Sequence, residues 1–561
     1  MTLNGSSRAA VFAAALSALA LAGAGVAQAQ LRGGEAPSLR PAAPAPPLIG
    51  LSGPAETVED AFDAGRAWED CGFGDAEACN ELGWRHEFGR GVPQDMDLAV
   101  ALYRRACDGG DGIACSNLGY LYSEGQGVPL DHAQANRLLD LACLRRSERG
   151  CALLGYQTYH GHGARADLDE AARLYDLACD LGSSHGCRNL GRMRLDGEGG
   201  AADPQEAARL FALACDRGLA LGCIDLGHAA YLGRGLPEDH ARAAALYAGA
   251  CADGVAEACF SSGVMLHYGQ GRAADLAAAR AAYAQGCEGG SADACHNLGV
   301  LHRDGEGGAQ DLGEAARLLA LACDGGVALG CWNLAALWSA GRAGAPADPA
   351  RAAGHRRRAC GLGLSLACVT LAEALRDDGV PADPDESPLS LLETACDMDE
   401  TTCFHLGLHL DDHAEGPADL RRAREIYGKA CEGGSAASCN NLGVMHSMGR
   451  GAPASQAEAL PLFDRACEGG DDFGCANLAN MHRHGRATPV DAAAAEALLQ
   501  DACDRGHAPA CEDLADLLME AFWLFRETDR ARALYAVACE AEIETACAVL
   551  TRLNDRPRRR D

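Results

Sequence analysis

The 561-residue chain contains a single lysine, Lys429, so every other basic side chain of its 48 Lys and Arg is an arginine. Positive charge is scarce altogether: 79 Asp and Glu give a formal net charge of −31, a balance that would repel a phosphate backbone and argues against nucleic acid as a partner. Beyond about Val26 there is no apolar run long enough to cross a bilayer. No cysteine precedes Cys71, and an N-terminal apolar segment without a cysteine at its end excludes an ordinary bacterial lipid anchor.

The N-terminal run itself, Ala9 to about Val26 after Arg8, is followed by Ala27-Gln28-Ala29, small residues suited to signal-peptidase cleavage. Residues 1–29 are therefore expected to be a removed signal peptide, and the mature protein exported, to the periplasm or outside the cell. A membrane anchor is the competing reading, but the run is short, Ala-rich and ends in a cleavage site. Residues 30–55, with Pro41, Pro44, Pro46, Pro47 and Pro54, read as a polyproline or unstructured spacer, and 552–561 as a charged tail. The 28 cysteines fit an oxidising compartment, since a reducing one would leave thiols free.

Those cysteines carry the organisation of the chain. They fall in pairs: Cys71 and Cys79, Cys107 and Cys115, Cys143 and Cys151, Cys179 and Cys187, Cys215 and Cys223, Cys251 and Cys259, Cys287 and Cys295, Cys323 and Cys331, Cys360 and Cys368, Cys396 and Cys403, Cys431 and Cys439, Cys467 and Cys475, Cys503 and Cys511, and Cys539 and Cys547. The first members recur every 36 residues, with steps of 37, 36 and 35 only between Cys323 and Cys431. A fixed period of that length marks a solenoid, in which each repeat buries an apolar face against the next. Within one period, residues 294–302 read as a first helix broken at Gly305, and Asp311 caps a second helix, 312–323, with apolar residues at 315, 318, 319 and 322. Asp95, Asp131, Asp167, Asp203, Asp239, Asp275, Asp311, Asp348, Asp419, Ser455 and Asp491 all stand twelve residues before a pair, where an N-cap acceptor belongs. If the second cysteine of a pair is position zero, position four is Gly or Ala after thirteen of the fourteen pairs, which suggests close helix packing.

Residues eight apart on a continuous helix would be about 12 Å apart, beyond the roughly 7 Å reach of a disulfide. A break must lie between them, and eleven of the fourteen pairs supply it with a Gly three residues after the first Cys. Each bridge would then staple the second helix of one repeat to the first helix of the next. Zinc ligation would require Cys-x-x-Cys spacings that these pairs lack.

Leu118-Gly119-Tyr120-Leu121-Tyr122-Ser123-Glu124-Gly125-Gln126-Gly127-Val128, with Ala142-Cys143 after it, resembles the Sel-one-like repeat, a relative of the tetratricopeptide repeat. The resemblance covers 56–551, about thirteen repeats, with departures at 341–420 and 521–525. It implies an all-α, tetratricopeptide-like α/α superhelical solenoid, here stapled by disulfides, whose concave face binds a protein or peptide and which needs no cofactor. The cysteine-rich exported branch of that family is often labelled β-lactamase or penicillin-binding, so β-lactam binding or hydrolysis is the enzymatic alternative. Its usual residues are missing: Ile426, not Ser, precedes Lys429 by three, and there is no Lys-Thr-Gly.

Three features remain as candidate sites. Position two is often asparagine, and Asn117, Asn189, Asn297, Asn333, Asn441 and Asn477 would form a ladder that either holds the backbone of an extended peptide or bridges neighbouring helices internally. His405, His409 and His413 recur one turn apart in the one repeat with irregular cysteine spacing, a pattern that can share a metal or simply make a polar helix flank. Gly182-Ser183-Ser184-His185-Gly186 spells a nucleophile elbow, but lies between helices where that motif needs a preceding strand. His160-Gly161-His162 and His482-Arg483-His484 lack the Asp of a zinc hydrolase.

Overall fold

The computed structural model describes residues 58–342, 346–377, 386–520 and 528–554. The expected signal peptide, the spacer and most of the charged tail lie outside the described residues, as does the 521–525 stretch. Among the described residues there are twenty-eight α-helices, one turn of 3-10 helix and no strand. The fold is the expected all-α helix-pair array. It divides into two compact units, Met1–Gln310 and Asp311–Asp561, each a run of antiparallel helix pairs.

Helix boundaries follow from local chemistry. Ten of the expected caps sit at the start of a second helix and accept from a backbone N–H three residues on, from Asp95 at Met96–Asp108 to Asp491 at Ala492–Asp504. Asp419 is the exception. The helix there is Pro417–Glu432, capped by Gly416, because Pro417 is preset for the first helical position. Asp419 lies inside that helix and accepts from the Glu415 N–H at 3.0 Å. First helices commonly end on a left-handed glycine such as Gly125, whose N–H closes on Leu121 O. A second loop glycine lets the chain turn against the preceding second helix. At Gly235 (φ 76°) a Cβ would lie 1.8 Å from Pro204 O, so no other residue fits.

All fourteen disulfides are formed as expected, and no free cysteine is found among the described residues. Each joins the end of a second helix to the following first helix, with Cα separations from 4.3 Å at Cys396–Cys403 to 4.8 Å at Cys360–Cys368. The turn between them passes through a left-handed residue three after the first Cys. That residue is Gly in eleven repeats, and Arg146 (φ 62°) and Glu542 (φ 63°) adopt the same conformation without the glycine. The short pair omits it: Asp399 is extended and caps the 3-10 turn Glu400–Thr402, which delivers Cys403 one residue sooner.

Position four shows why glycine repeats in mid-helix. A Cβ on Gly83, Gly155, Gly227, Gly263 or Gly407 would stand 2.5 to 2.9 Å from the ring of Tyr103, Tyr175, Tyr247, Tyr283 or Tyr427, each on the second helix of the same repeat. Phe211 and Phe463 fill the same slot against Gly191 and Gly443. These rings are buried, and each contributes roughly 1.5 to 3 kcal/mol of transfer free energy. The glycine forgoes about 1 kcal/mol of helix propensity so that the ring can lie flat on the first helix.

Candidate binding surface

At 100° per residue, positions zero, three, four and seven of a first helix share the buried arc, which leaves positions two, five and nine on the far side. Consecutive first helices meet along a seam, and the seam decides which of those positions is presented. Position one of one repeat touches position two of the next. Asn117 donates to Asn80 Oδ1 at 3.1 Å, Asn477 donates to Asn440 Oδ1 at 2.8 Å, and Arg188 pairs through Nε with Asp225 Oδ2 at 2.5 Å.

The asparagine ladder therefore lies in the seam. Asn117, Asn189 and Asn333 are buried, and Asn297, Asn441 and Asn477 are half-buried. Asn117 also accepts from Arg149 Nη1 at 2.7 Å, and Asn441 donates to the Tyr427 hydroxyl at 3.3 Å. Asn297 accepts from or faces His296 Nδ1 at 3.2 Å. The geometry is that of amides bridging neighbouring helices.

Position five stands beyond the seam. In the Met1–Gln310 unit it carries Trp84, Tyr120, Tyr156, Arg192, His228, Val264 and Val300 in succession; Arg192 and Val264 are buried and the others half-buried. Trp84 packs against Phe88 at position nine, centroid to centroid 5.8 Å, and the Arg149 guanidinium sits 5.5 Å from the Tyr120 ring centre. Tyr156 meets His160 edge-on at 4.4 Å, and Tyr159, beside it, donates to Glu198 at 2.7 Å. Burial, with Arg188 next to it, holds the Arg192 guanidinium below the usual arginine range, and burial does the same for Arg149. The row places three aromatic rings and an arginine, one per repeat, along the first helices. The sequence reading missed it. The signal was present, since positions two and five are equally far from the buried arc, but only the seam shows that position two is covered.

The histidine triplet does not converge. His409 and His413 stack at 4.4 Å, with His413 Nδ1 2.9 Å from His409 O, while His405 lies beside Glu373, Nδ1 to Oε1 3.9 Å. Burial lowers the pKa of His405, and for His409 burial and the neighbouring His413 do so together. Eight residues separate the outer pair, about 12 Å of helical rise, too far to share one ion directly. Among the described residues no group of three or more His, Cys, Asp or Glu is arranged to hold a metal. Ser183 of the elbow-like stretch is the N-cap of the helix Ser184–Asp196, accepting from the Gly186 N–H at 3.1 Å, which is a helix start and not a strand-borne nucleophile.

Fold and surface together define a disulfide-stapled, all-α repeat solenoid that presents one residue set per repeat. The Sel1 repeat family matches residues 76–111, 112–146, 149–183, 184–219, 220–255, 256–291, 292–327, 403–435, 436–471 and 473–507, and the chain belongs to that family. Cytochrome c oxidase assembly factor 7 of Mus musculus is 43% identical over 51 residues, which is 9% of this chain and 22% of that protein. Among solved structures, c5321, a protective antigen of uropathogenic Escherichia coli strains with an SLR fold, aligns over 89% of this chain and 99% of its own at a TM-score of 0.60 and 22% identity. A Sel1 repeat protein from Oxalobacter formigenes aligns over 57% of this chain and 95% of its own, TM-score 0.45, identity 24%. A Sel1 array fits a protein-interaction role. No described helix is long and apolar enough to cross a membrane.

Proposed function

We propose that this protein is an exported scaffold that binds a protein or peptide along the position-five strip of its Met1–Gln310 unit. The observation that carries the reading is the succession Trp84, Tyr120, Tyr156 and Arg192, one large side chain per repeat, whose three rings pack against the core on one side and stay only half-buried. Aromatic and arginine side chains are the residues that dominate binding energy at protein interfaces. Export is supported by the N-terminal apolar run and by fourteen disulfides that use every one of the 28 cysteines. The net charge of −31 argues for a partner that is not nucleic acid.

The experiment is a quantitative pulldown from an envelope or secretome extract with oxidised wild type and a Trp84→Ala, Tyr120→Ala, Tyr156→Ala variant. Partners enriched by wild type and lost with the variant are expected, and an unchanged set refutes the strip as the binding face. Export is checked separately: mass spectrometry of the native protein should find an N-terminus near Gln30, and a retained Met1 would refute cleavage.

A further inference from the structure

Arg188 and Arg192 lie one turn apart on the helix Ser184–Asp196 and are 7% and 4% exposed. Guanidinium groups are seldom buried so far without a full set of acceptors, because each carries five N–H donors and a fixed charge. Arg188 uses its Nε on Asp225, itself 6% exposed, and leaves Nη1 buried with no acceptor. At Arg192 the shortfall is complete: Nε is buried without an acceptor, and none of the described residues hydrogen-bonds or ion-pairs with the guanidinium. The charges around Arg192 are Arg188, Asp225 and Asp196, so one directly paired carboxylate serves two buried cations. The Nη edge of Arg192 keeps the remaining solvent access, at position five between Tyr156 and His228.

We infer that Arg192, backed by Arg188, is a receptor for a carboxylate of the bound peptide, held in the two-pronged manner that guanidinium groups favour. The inference deepens the binding role proposed above and rests on it for the ligand being a peptide. A carboxylate meets both needs of the site, since it supplies two acceptors in the plane of the guanidinium and cancels the excess cation. Tyr156, and Tyr120 one repeat beyond it, would hold the neighbouring residues of an extended chain on one side of Arg192. First helices about 10 Å apart and the polyproline II rise of about 3.1 Å per residue, with three residues per turn, place one peptide side chain in three at successive position-five residues. The same carboxylate chemistry is offered by an acidic side chain and by a chain terminus, and the probes below separate the two.

The test uses the full-length oxidised protein labelled with nitrogen-15 at arginine, with the Arg192 Nε resonance assigned by its loss in Arg192→Lys and, should that variant misfold, in Arg192→Gln. Three acetylated probes are titrated at constant ionic strength: acetyl-Tyr-Ala-Ala-Glu-Ala-Ala-Tyr-amide, its Gln counterpart, and the Gln peptide with a free C-terminus. A saturable shift of the Arg192 resonance is expected with the Glu peptide, the free-terminus peptide or both, with affinity about tenfold or more above the amidated Gln peptide. Which of the two carboxylates saturates it identifies the source. Asp225→Asn, which removes the internal anion, should tighten the carboxylate probe several-fold. No saturable shift with either carboxylate, or equal affinity for the amidated Gln peptide, overturns the inference. Loss of partner capture in the Trp84, Tyr120, Tyr156 variant is independent of Arg192, so the scaffold reading and the carboxylate receptor can fail separately.

Discussion

Replacing Gly263 by alanine sets two opposed terms of known size against each other. A Cβ there would lie 2.5 Å from both Cδ1 and Cε1 of Tyr283, about 1 Å inside ordinary carbon contact of roughly 3.5 Å. Tyr283 is fully buried, so the ring can only move into its neighbours, and overpacking of that kind costs about 1 to 3 kcal/mol. Alanine gains about 1 kcal/mol over glycine in a helix interior. The expected net effect is a loss of about 0 to 2 kcal/mol. With Tyr283→Leu in place the sign should reverse, because the chain itself combines Ala372 with Leu392 and Ala479 with Leu499 in the same slot. Ala515 accompanies the buried Tyr535 in the last repeat, so one ring slot of the chain does tolerate alanine. Gly249→Ala is the control: nothing stands within 4 Å of its Cβ position, and it should gain the full propensity term. Long arrays unfold without a single transition, so the assay is native-state hydrogen exchange across Ala256–Tyr268 and Leu276–Glu288, where each 1.4 kcal/mol is a tenfold change in rate. Stabilisation by Gly263→Ala equal to the Gly249 control, with no coupling to Tyr283→Leu, would refute the ring-on-glycine account.

Burial, with Asp516 beside it, pushes the Asp513 carboxyl up to about 6 from its ordinary 3.8. A raised carboxyl favours the protonated folded state, so its contribution is fully present below about pH 4 and is lost as pH rises through 6; Asp513→Asn should be more stable than wild type by roughly 1 to 3 kcal/mol at pH 7 and level with it at pH 4, and parallel melting profiles from pH 4 to 8 would contradict this. Arg146 holds φ 62° where eleven repeats have glycine, and Arg146→Gly should raise stability by about 0.5 to 1 kcal/mol in local hydrogen exchange; a loss would mean the arginine side chain repays its strain. Cys179→Ser with Cys187→Ser opens an eight-residue staple and should cost about 2 to 3 kcal/mol, read as faster proteolysis at Gly182–Ser183, with unchanged cleavage counting against the staple.

The parts of the fold that were legible in the sequence are those set within one repeat. The cap at Asp95, the glycine break at Gly110 and the close packing at Gly83 each depend on residues less than a repeat apart, so the period repeats those signals eleven, eleven and thirteen times; the ring that Gly83 admits was not read from them. Asp419 was misplaced for a local reason as well: Pro417 starts the helix earlier, and a proline preset for the first turn outweighs an aspartate in register. What stayed hidden depends on the tilt between repeats. Asn117 and Tyr120 are equally far from the buried arc, and nothing in the spacing of one repeat says that the next first helix covers one and leaves the other. The histidines at 405, 409 and 413 share a helix face, but sharing a face leaves them strung along it, and only a second element bringing ligands to the same point would make a metal site.

The division between fixed and free positions bears on how recognition is distributed. Positions zero, three, four and seven hold the helix pair, the cysteines hold the repeats together, and positions one and two close the seam. Position five varies most: Trp84, Tyr120, Tyr156, Arg192, His228, Val264 and Val300 in one unit, Ala336, Glu373, Leu408, Val444, Asn480, Asp516 and Arg552 in the other. The run Trp84, Tyr120, Tyr156 and Arg192 is aromatic and cationic, whereas Glu373, Leu408, Val444, Asn480 and Asp516 are aliphatic, polar and acidic, and the two would not select the same ligand. Exchanging Tyr120 and Tyr156 for the Val and Asn found at 444 and 480 should leave hydrogen exchange in the seam at Asn117 unchanged while abolishing partner capture; a variant that still captures the partner would move recognition off this strip.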